Sequence, residues 1–237
     1  MMMRARPRGR IVTLGGRVFI CALFLVALAF AGREFAATIE RVGGPAPLTL
    51  LSAGGTLTPQ ASRRLDAVCE ATLDISRTAD SLRYCGLADL VARPGDTEAE
   101  TSDRYARAAT YLEDSLNRSP FSGITWLYLT AAHLAKGDAE AAAESFDTSY
   151  EIAPIAVSMQ GMRLGIGLNM IESMKPITLM SLDSEIIMMG RRDPRYLHSL
   201  AKSTNQLRYV ASALTADLEI FARFMRIVRE PPPGIRR

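Results

Sequence analysis

The chain has 237 residues, 48% of them hydrophobic and 22% charged, with a formal net charge of +3. That length gives enough chain for a buried core in one or two domains. The composition excludes wholesale disorder, a collagen-like repeat and a polytopic membrane protein. Twelve Pro and 17 Gly are too few for a low-complexity chain. All but three of the 28 basic residues are Arg, the exceptions being Lys136, Lys175 and Lys202. The charge is unevenly placed. Residues 1–41 carry seven Arg and two Glu, a net +5, which leaves −2 for the remainder. The body of the protein therefore lacks the basic footprint expected of a nucleic-acid binder.

The N-terminus has the layout of a membrane address. Five Arg lie in residues 1–17, the apolar run Val18–Gly32 follows, and Arg33 and Glu34 end it. Basic residues stay on the cytoplasmic side, so the chain after residue 33 is expected on the extracytoplasmic side. Two fates remain open. Ala29-Phe30-Ala31 offers a cleavage site that would release a secreted soluble adaptor. Extension of the run back to Ile11, with Arg17 reaching to the interface, would give an uncleaved signal anchor. The anchored form is the one carried forward, with residues 1–41 as basic N-terminus and transmembrane helix. Cys21 follows Val18-Phe19-Ile20 and begins the run rather than ending it, which does not fit a lipoprotein signal.

Residues 42–60, rich in Gly, Pro, Ser and Thr, read as a linker. From Ala61 onward apolar residues recur at helical spacing. Leu65, Val68, Cys69, Leu73 and Ile75 fall near one face, then Leu82, Cys85, Leu87 and Leu90, which predicts a helical hairpin over 61–93. Cys69 and Cys85 would be about 24 Å apart on one continuous helix, too far to bond. A turn near Ser76–Ala79 would bring them together across antiparallel helices, so a disulfide and two buried thiols both stay open. Pro94-Gly95-Asp96 breaks the pattern, and Thr97 with Glu100 makes a capping-box start. No segment alternates as a strand would, so the fold is predicted to be all-α.

Residues 94–156 are the most informative. Ala108 and Ala142, Leu112 and Phe146, and Pro120 and Pro154 are each 34 positions apart. The second unit has Trp126, Leu129, Gly137, Ala142, Phe146 and Pro154 in order. Its spacing resembles the tetratricopeptide repeat (TPR) family. Small Ala142 would let two helices approach, Trp126 and Phe146 would fill the space beside them, Gly137 would make the left-handed turn and Pro154 would end the unit. Thr130, His133 and Ser149 stand where TPRs prefer Gly, Tyr and Ala. The resemblance is clear over about 34 residues and partial over about 70, fewer than the three repeats a free-standing array needs. Residues 157–230 are therefore expected to complete the core. Helices are predicted over Ile155–Glu172 and Ile177–Met189, then one from Arg195 to about Val228, before a loose tail at 231–237.

Candidate chemistry is sparse. His133 reads as a packed core residue, and His198 has no metal-ligating neighbour one turn away. Ser199 and Lys202 match the fixed positions of S-x-x-K without its companion motifs. Glu144, Asp147 and Glu151 form an acidic stripe read as a solvated face. Gly161, Gly165 and Gly167 read as helix-packing positions, and seven Met between 159 and 189 as core or adaptable groove. No catalytic residue, cofactor or metal is assigned. By the phase of the repeat, Ile124, Leu127, Ala131 and Leu134 should project into the concave face, with Met162 and Met170 as further partner-binding candidates. These residues are apolar or small, unlike a carboxylate clamp. The resemblance implies a non-catalytic adaptor that holds partner proteins, such as an apolar helix, at a bacterial inner membrane. Similar anchored TPR-like proteins accompany envelope polysaccharide synthesis and export. The competing class is a helical enzyme acting on cell-wall glycan.

Overall fold

The computed structural model describes residues 57–229 and, nearer the N-terminus, Phe19, Ala22, 26–29 and 31–33. The remainder of the apolar run, the linker up to residue 56 and the tail from 230 lie outside the described residues. The expected membrane helix falls mostly there. No helix among the described residues is long and apolar enough to cross a membrane.

Residues 57–229 are all-helical. They comprise α1 (Pro59–Ile75), α2 (Ala79–Leu90), α3 (Glu98–Arg118), α4 (Gly123–Ala135), α5 (Ala139–Ile152), α6 (Gln160–Gly167), a 3-10 turn (Ile171–Ser173), α7 (Pro176–Arg192), α8 (Pro194–Ser203), α9 (Leu207–Leu214) and α10 (Leu218–Arg229). Side-chain caps fix many of the starts, because the first backbone N–H groups of a helix have no partner within it. Thr58, Thr78, Asp138 and Asp193 each accept from the N–H three residues on. Thr97 and Glu100 form a complete reciprocal capping box at α3. Gly137 turns the chain between α4 and α5 at φ +77°, where a β-carbon would be strained.

Neighbouring helices run antiparallel and pack in sequence, α2 on α3, α3 on α4 and α4 on α5. At α2–α3 a β-carbon on Gly86 would lie 2.7 Å from Leu112 Cγ, so this glycine lets the helices close. Ala108, Leu112, Ala142 and Phe146 are all fully buried. The buried guanidinium of Arg104 holds the longer α2–α3 connection, donating to Asp96, Asp89 O and Val91 O at 2.6–3.0 Å. One apolar cluster joins α2, α3 and α4, and a second spans α4 to α10. In the second, α7 is central and packs against α5, α6, α8, α9 and α10.

The α1–α2, α3–α4 and α5–α6 connections share one end of this array. Ser115 Oγ donates to Ala79 O at 2.7 Å, and Arg77 pairs with Asp114 at 3.6 Å. A β-carbon on Gly123 would meet Ala153 Cβ at 2.8 Å. Leu57 N to Ala92 O and the Gly137 turn mark the opposite end.

Two segments differ from expectation. The helix predicted from Ile155 to Glu172 is only Gln160–Gly167, since residues 153–159 form an irregular connection and Asn169 turns back to donate to Gly165 O. The long C-terminal helix is three helices. Asn205 takes φ +58°, a conformation Asn tolerates better than most residues. Asp217 then caps α10 through Ile220 N–H.

Candidate functional site

A large hollow among the described residues lies between two walls of helices. One wall is built by Leu87 and Leu90 of α2, Tyr105 of α3, and Tyr128, Ala131 and Ala135 of α4. The other is Val157, Gly161, Met162 and Ile166 around α6, with Met189, Tyr196 and Leu200 behind. Its volume is about 940 Å³. The glycines shape it: Gly161 lets the Tyr196 hydroxyl approach to 3.2 Å of where a β-carbon would stand. Small residues on α4 and α6 leave the space, and aromatic rings and thioethers edge it, which suits an adaptable apolar contact. The one carboxylate at the groove, Asp193, already accepts from Tyr196 N–H at 3.0 Å as a helix cap. No pair of acids converges there.

Of the six residues expected to meet a partner, Ala131 and Met162 line this groove. Leu127 and Met170 do not. Leu127 is fully buried against α5 and the C-terminal helices, and Met170 is 4% exposed in the same cluster. Ile124 and Leu134 are half-buried and pack onto that cluster. The expected concave face is thus partly occupied by the protein's own helices α6 and α8. Tyr105, Tyr128 and Tyr196 were not anticipated. They come from three helices and carry no shared local signal.

A smaller hollow of about 440 Å³ opens between α1, α2 and α3. Cys69 and Cys85 both line it, and both are free thiols. The three-residue turn between α1 and α2 makes the hairpin that brings them together. A hydrogen bond to Cys85 and burial push the Cys69 thiol well above its usual range. Asp89 lies beside them, 3.2 Å from Arg107 and 3.5 Å from Arg93. Burial pushes its carboxyl up, and the Arg107 hydrogen bond opposes that.

A third polar cluster is sealed inside the core. Arg163 of α6 is fully buried, with Nη1 3.3 Å from Glu185 Oε1 and Nη2 donating to Ser149 O and Ala153 O. Its guanidinium stacks 4.1 Å above the Tyr150 ring, and the Tyr150 hydroxyl donates to Glu185 at 3.0 Å. Burial raises the Glu185 carboxyl despite Arg163. The cluster ties α5, α6 and α7 together, and its Tyr150 borders a small hollow of about 140 Å³ beside Lys175 and Thr178.

The remaining candidates fall into structural places. His133 is buried, and burial lowers its imidazole. His198 packs edge-on against Phe224. Ser199 and Lys202 are exposed on α8. The acidic stripe is corrected at Asp147, which is 4% exposed, accepts from Thr178 and pairs with Lys175 at 2.9 Å. Trp126 is half-buried and its Nε1 donates to Pro120 O at 2.9 Å. Among the described residues no cluster of three His, Cys, Asp or Glu is arranged to hold a metal ion.

Comparison with family models, with curated proteins and with solved structures returns no match.

Proposed function

We propose that this chain is a non-catalytic, membrane-anchored TPR-like adaptor. It receives an apolar helix of a partner protein in the groove between α2–α4 and α6–α8. The observation that carries this reading is the groove itself: apolar, edged by three tyrosines and Met162, and without converging acids. A helix with hydrophobic anchors at successive turns suits such a surface. The 34-residue spacing and the antiparallel pairing of α2 to α5 support the TPR-like assignment. The basic segment and apolar run before Arg33 support an anchor that leaves the helices on the extracytoplasmic face of a bacterial inner membrane. A place beside envelope polysaccharide synthesis or export machinery follows from family analogy alone.

The test is site-specific photocrosslinking in native membranes. A photoreactive residue at Met162 should yield one defined adduct, which Ala131→Arg abolishes. The same probe at exposed Glu140 should yield none. Equal adducts from both positions would sink the adaptor reading. The intact mass of the purified chain separates the anchored form from a secreted adaptor cut near Ala31.

One observation favours the alternative of a glycan-acting enzyme: Asp89, raised by burial, at the edge of the smaller hollow. Arg93 and Arg107 hold its carboxylate, which suits an ion-pair role better than proton donation. Glycan cleavage by the purified chain that Asp89→Asn removes would establish the enzyme instead.

A further inference from the structure

Large apolar side chains left in water are costly when they gather on one edge. Phe121 and Ile155 are each 85% exposed, and Val157 is 65% exposed. Phe121 and Ile155 are 34 residues apart, each directly after the proline that closes a repeat unit. They occupy the α3–α4 and α5–α6 connections, whose closeness is set by Gly123 against Ala153. The opposite end of the array differs. Its α4–α5 connection exposes Lys136, Gly137 and Asp138, and no large apolar residue there is exposed.

A second observation says what lies beneath this edge. Arg33, the residue that ends the apolar run, donates through Nε and Nη2 to Ile75 O at 2.9 and 2.5 Å. Ile75 ends α1 at the same end of the array as Phe121 and Ile155. Phe19, Val26 and Leu28 of the run are helical and exposed, as lipid-facing residues would be. The exit of the apolar run is therefore held at the edge that carries the exposed apolar tips.

We propose that this end of the helical array rests on the lipid surface, with Phe121, Ile155 and Val157 inserted into the interfacial region of the bilayer. The proposal rests on the reading of Val18–Gly32 as a membrane anchor. Burial of three such side chains adds attachment that a single anchor does not supply, and it fixes the orientation of the domain. Tryptophan suits the interfacial depth because its ring system is apolar and its N–H end tolerates water. The Trp126 indole, bonded to Pro120 O beside Phe121, sits at the same level. Exposed Arg118, one turn before Phe121, can extend along the surface toward phosphate groups. Val157 also lines the large groove, so one wall of the groove reaches this edge.

Trp126 is the only tryptophan in the chain and reports on this edge directly. The full-length chain is reconstituted in phosphatidylethanolamine–phosphatidylglycerol vesicles, with and without acyl chains brominated near the headgroup, and the vesicles are floated. The expected result is that the chain floats and that brominated lipid quenches Trp126 emission. The triple variant Phe121→Ser, Ile155→Ser, Val157→Ser should still float and lose most of that quenching, with an unchanged far-ultraviolet circular dichroism spectrum. Ile177→Ser with Met180→Ser, two exposed apolar residues on α7 rather than in these connections, should leave the quenching intact. A chain that floats but is not quenched, or a triple variant quenched as strongly as the parent, overturns the lipid contact alone. The first of these is also the outcome if a protein partner covers the edge. A chain that fails to float overturns the anchor reading and this proposal with it.

Discussion

Arg163 and Glu185 meet at 3.3 Å with side chains 0% and 4% exposed, joining the short helix α6 to the central helix α7. Two charges so far from water cost several kcal/mol each to desolvate, and their attraction offsets this only when both are present. Arg163→Ala is therefore expected to destabilise the protein by about 3–5 kcal/mol. It leaves the buried Glu185 carboxylate without its ion-pair partner and removes one donor from each of the Ser149 and Ala153 carbonyls. The joint change Arg163→Met, Glu185→Leu should recover most of that loss. Urea denaturation of the three proteins checks this. A single variant within about 1 kcal/mol of the parent would show that the pair is not a structural joint.

The same carboxyl predicts a pH dependence. Burial raises the folded-state pKa of Glu185 above its unfolded value. Its contribution is thus fully present below the unfolded pKa, about pH 4, and is lost as pH rises through the folded pKa. The stability of the parent relative to Glu185→Gln should fall as pH rises above about 4. Asp89 shifts in the same direction, so the parent's own slope contains both groups and the difference from Glu185→Gln isolates one. A parent that gains on the variant as pH rises would contradict the sign.

Two glycines should respond in opposite directions to the same substitution. A β-carbon on Gly86 meets Leu112 Cγ at 2.7 Å and Ala108 O at 3.2 Å. Gly86→Ala is expected to cost about 1–3 kcal/mol through overpacking between α2 and α3. On Gly165 the β-carbon finds only Leu200 Cδ1 at 3.7 Å, an ordinary contact. Gly165→Ala should gain about 0.5–1 kcal/mol, because alanine restricts the unfolded chain and favours helix. Urea midpoints moving in the same direction for both would refute this account.

Local chemistry was legible and distant pairing was not. The capping box at Thr97 and Glu100, the Gly137 turn and the buried Ala142 and Phe146 follow from spacing that spans a few turns. Asn205 and Asp217 carried end and start signals inside the C-terminal stretch, but the apolar period ran across them and suggested one helix. Asp147 looked solvated beside Glu144 and Glu151, since Thr178 and Lys175 reach it only through the packing of α7. Arg163 shows the same limit: nothing within one turn of it predicts burial, because its partner lies 22 residues on. For the groove, repeat phase identified Ala131, and Met162 also lines it. Leu127, expected on the concave face from repeat phase, turns instead into the core it shares with α5 and the C-terminal helices.

The thiol pair gives the last prediction. Cys85 is 1% exposed, and a bond to Cys85 together with burial holds the Cys69 thiol well up in pKa. Thiolate is the reactive form, which Cys69 withholds, and burial shields Cys85, so both should resist iodoacetamide in the folded protein at neutral pH and react fully on denaturation. The α1–α2 turn nevertheless sets the two side by side. Prolonged exposure to oxidised glutathione should therefore exchange the pair into one intramolecular disulfide, with two glutathione thiols released. That bond would close a loop of about 15 residues and raise stability by about 3 kcal/mol through the unfolded chain. It would also fasten α1, which packs chiefly on α2. Mass spectrometry of the oxidised chain should show Cys69 joined to Cys85, and Cys85→Ser should abolish both the bond and the gain. Persistent mixed disulfides with glutathione on both residues would mean that the thiols cannot reach bonding geometry, and that the hairpin is held by packing alone.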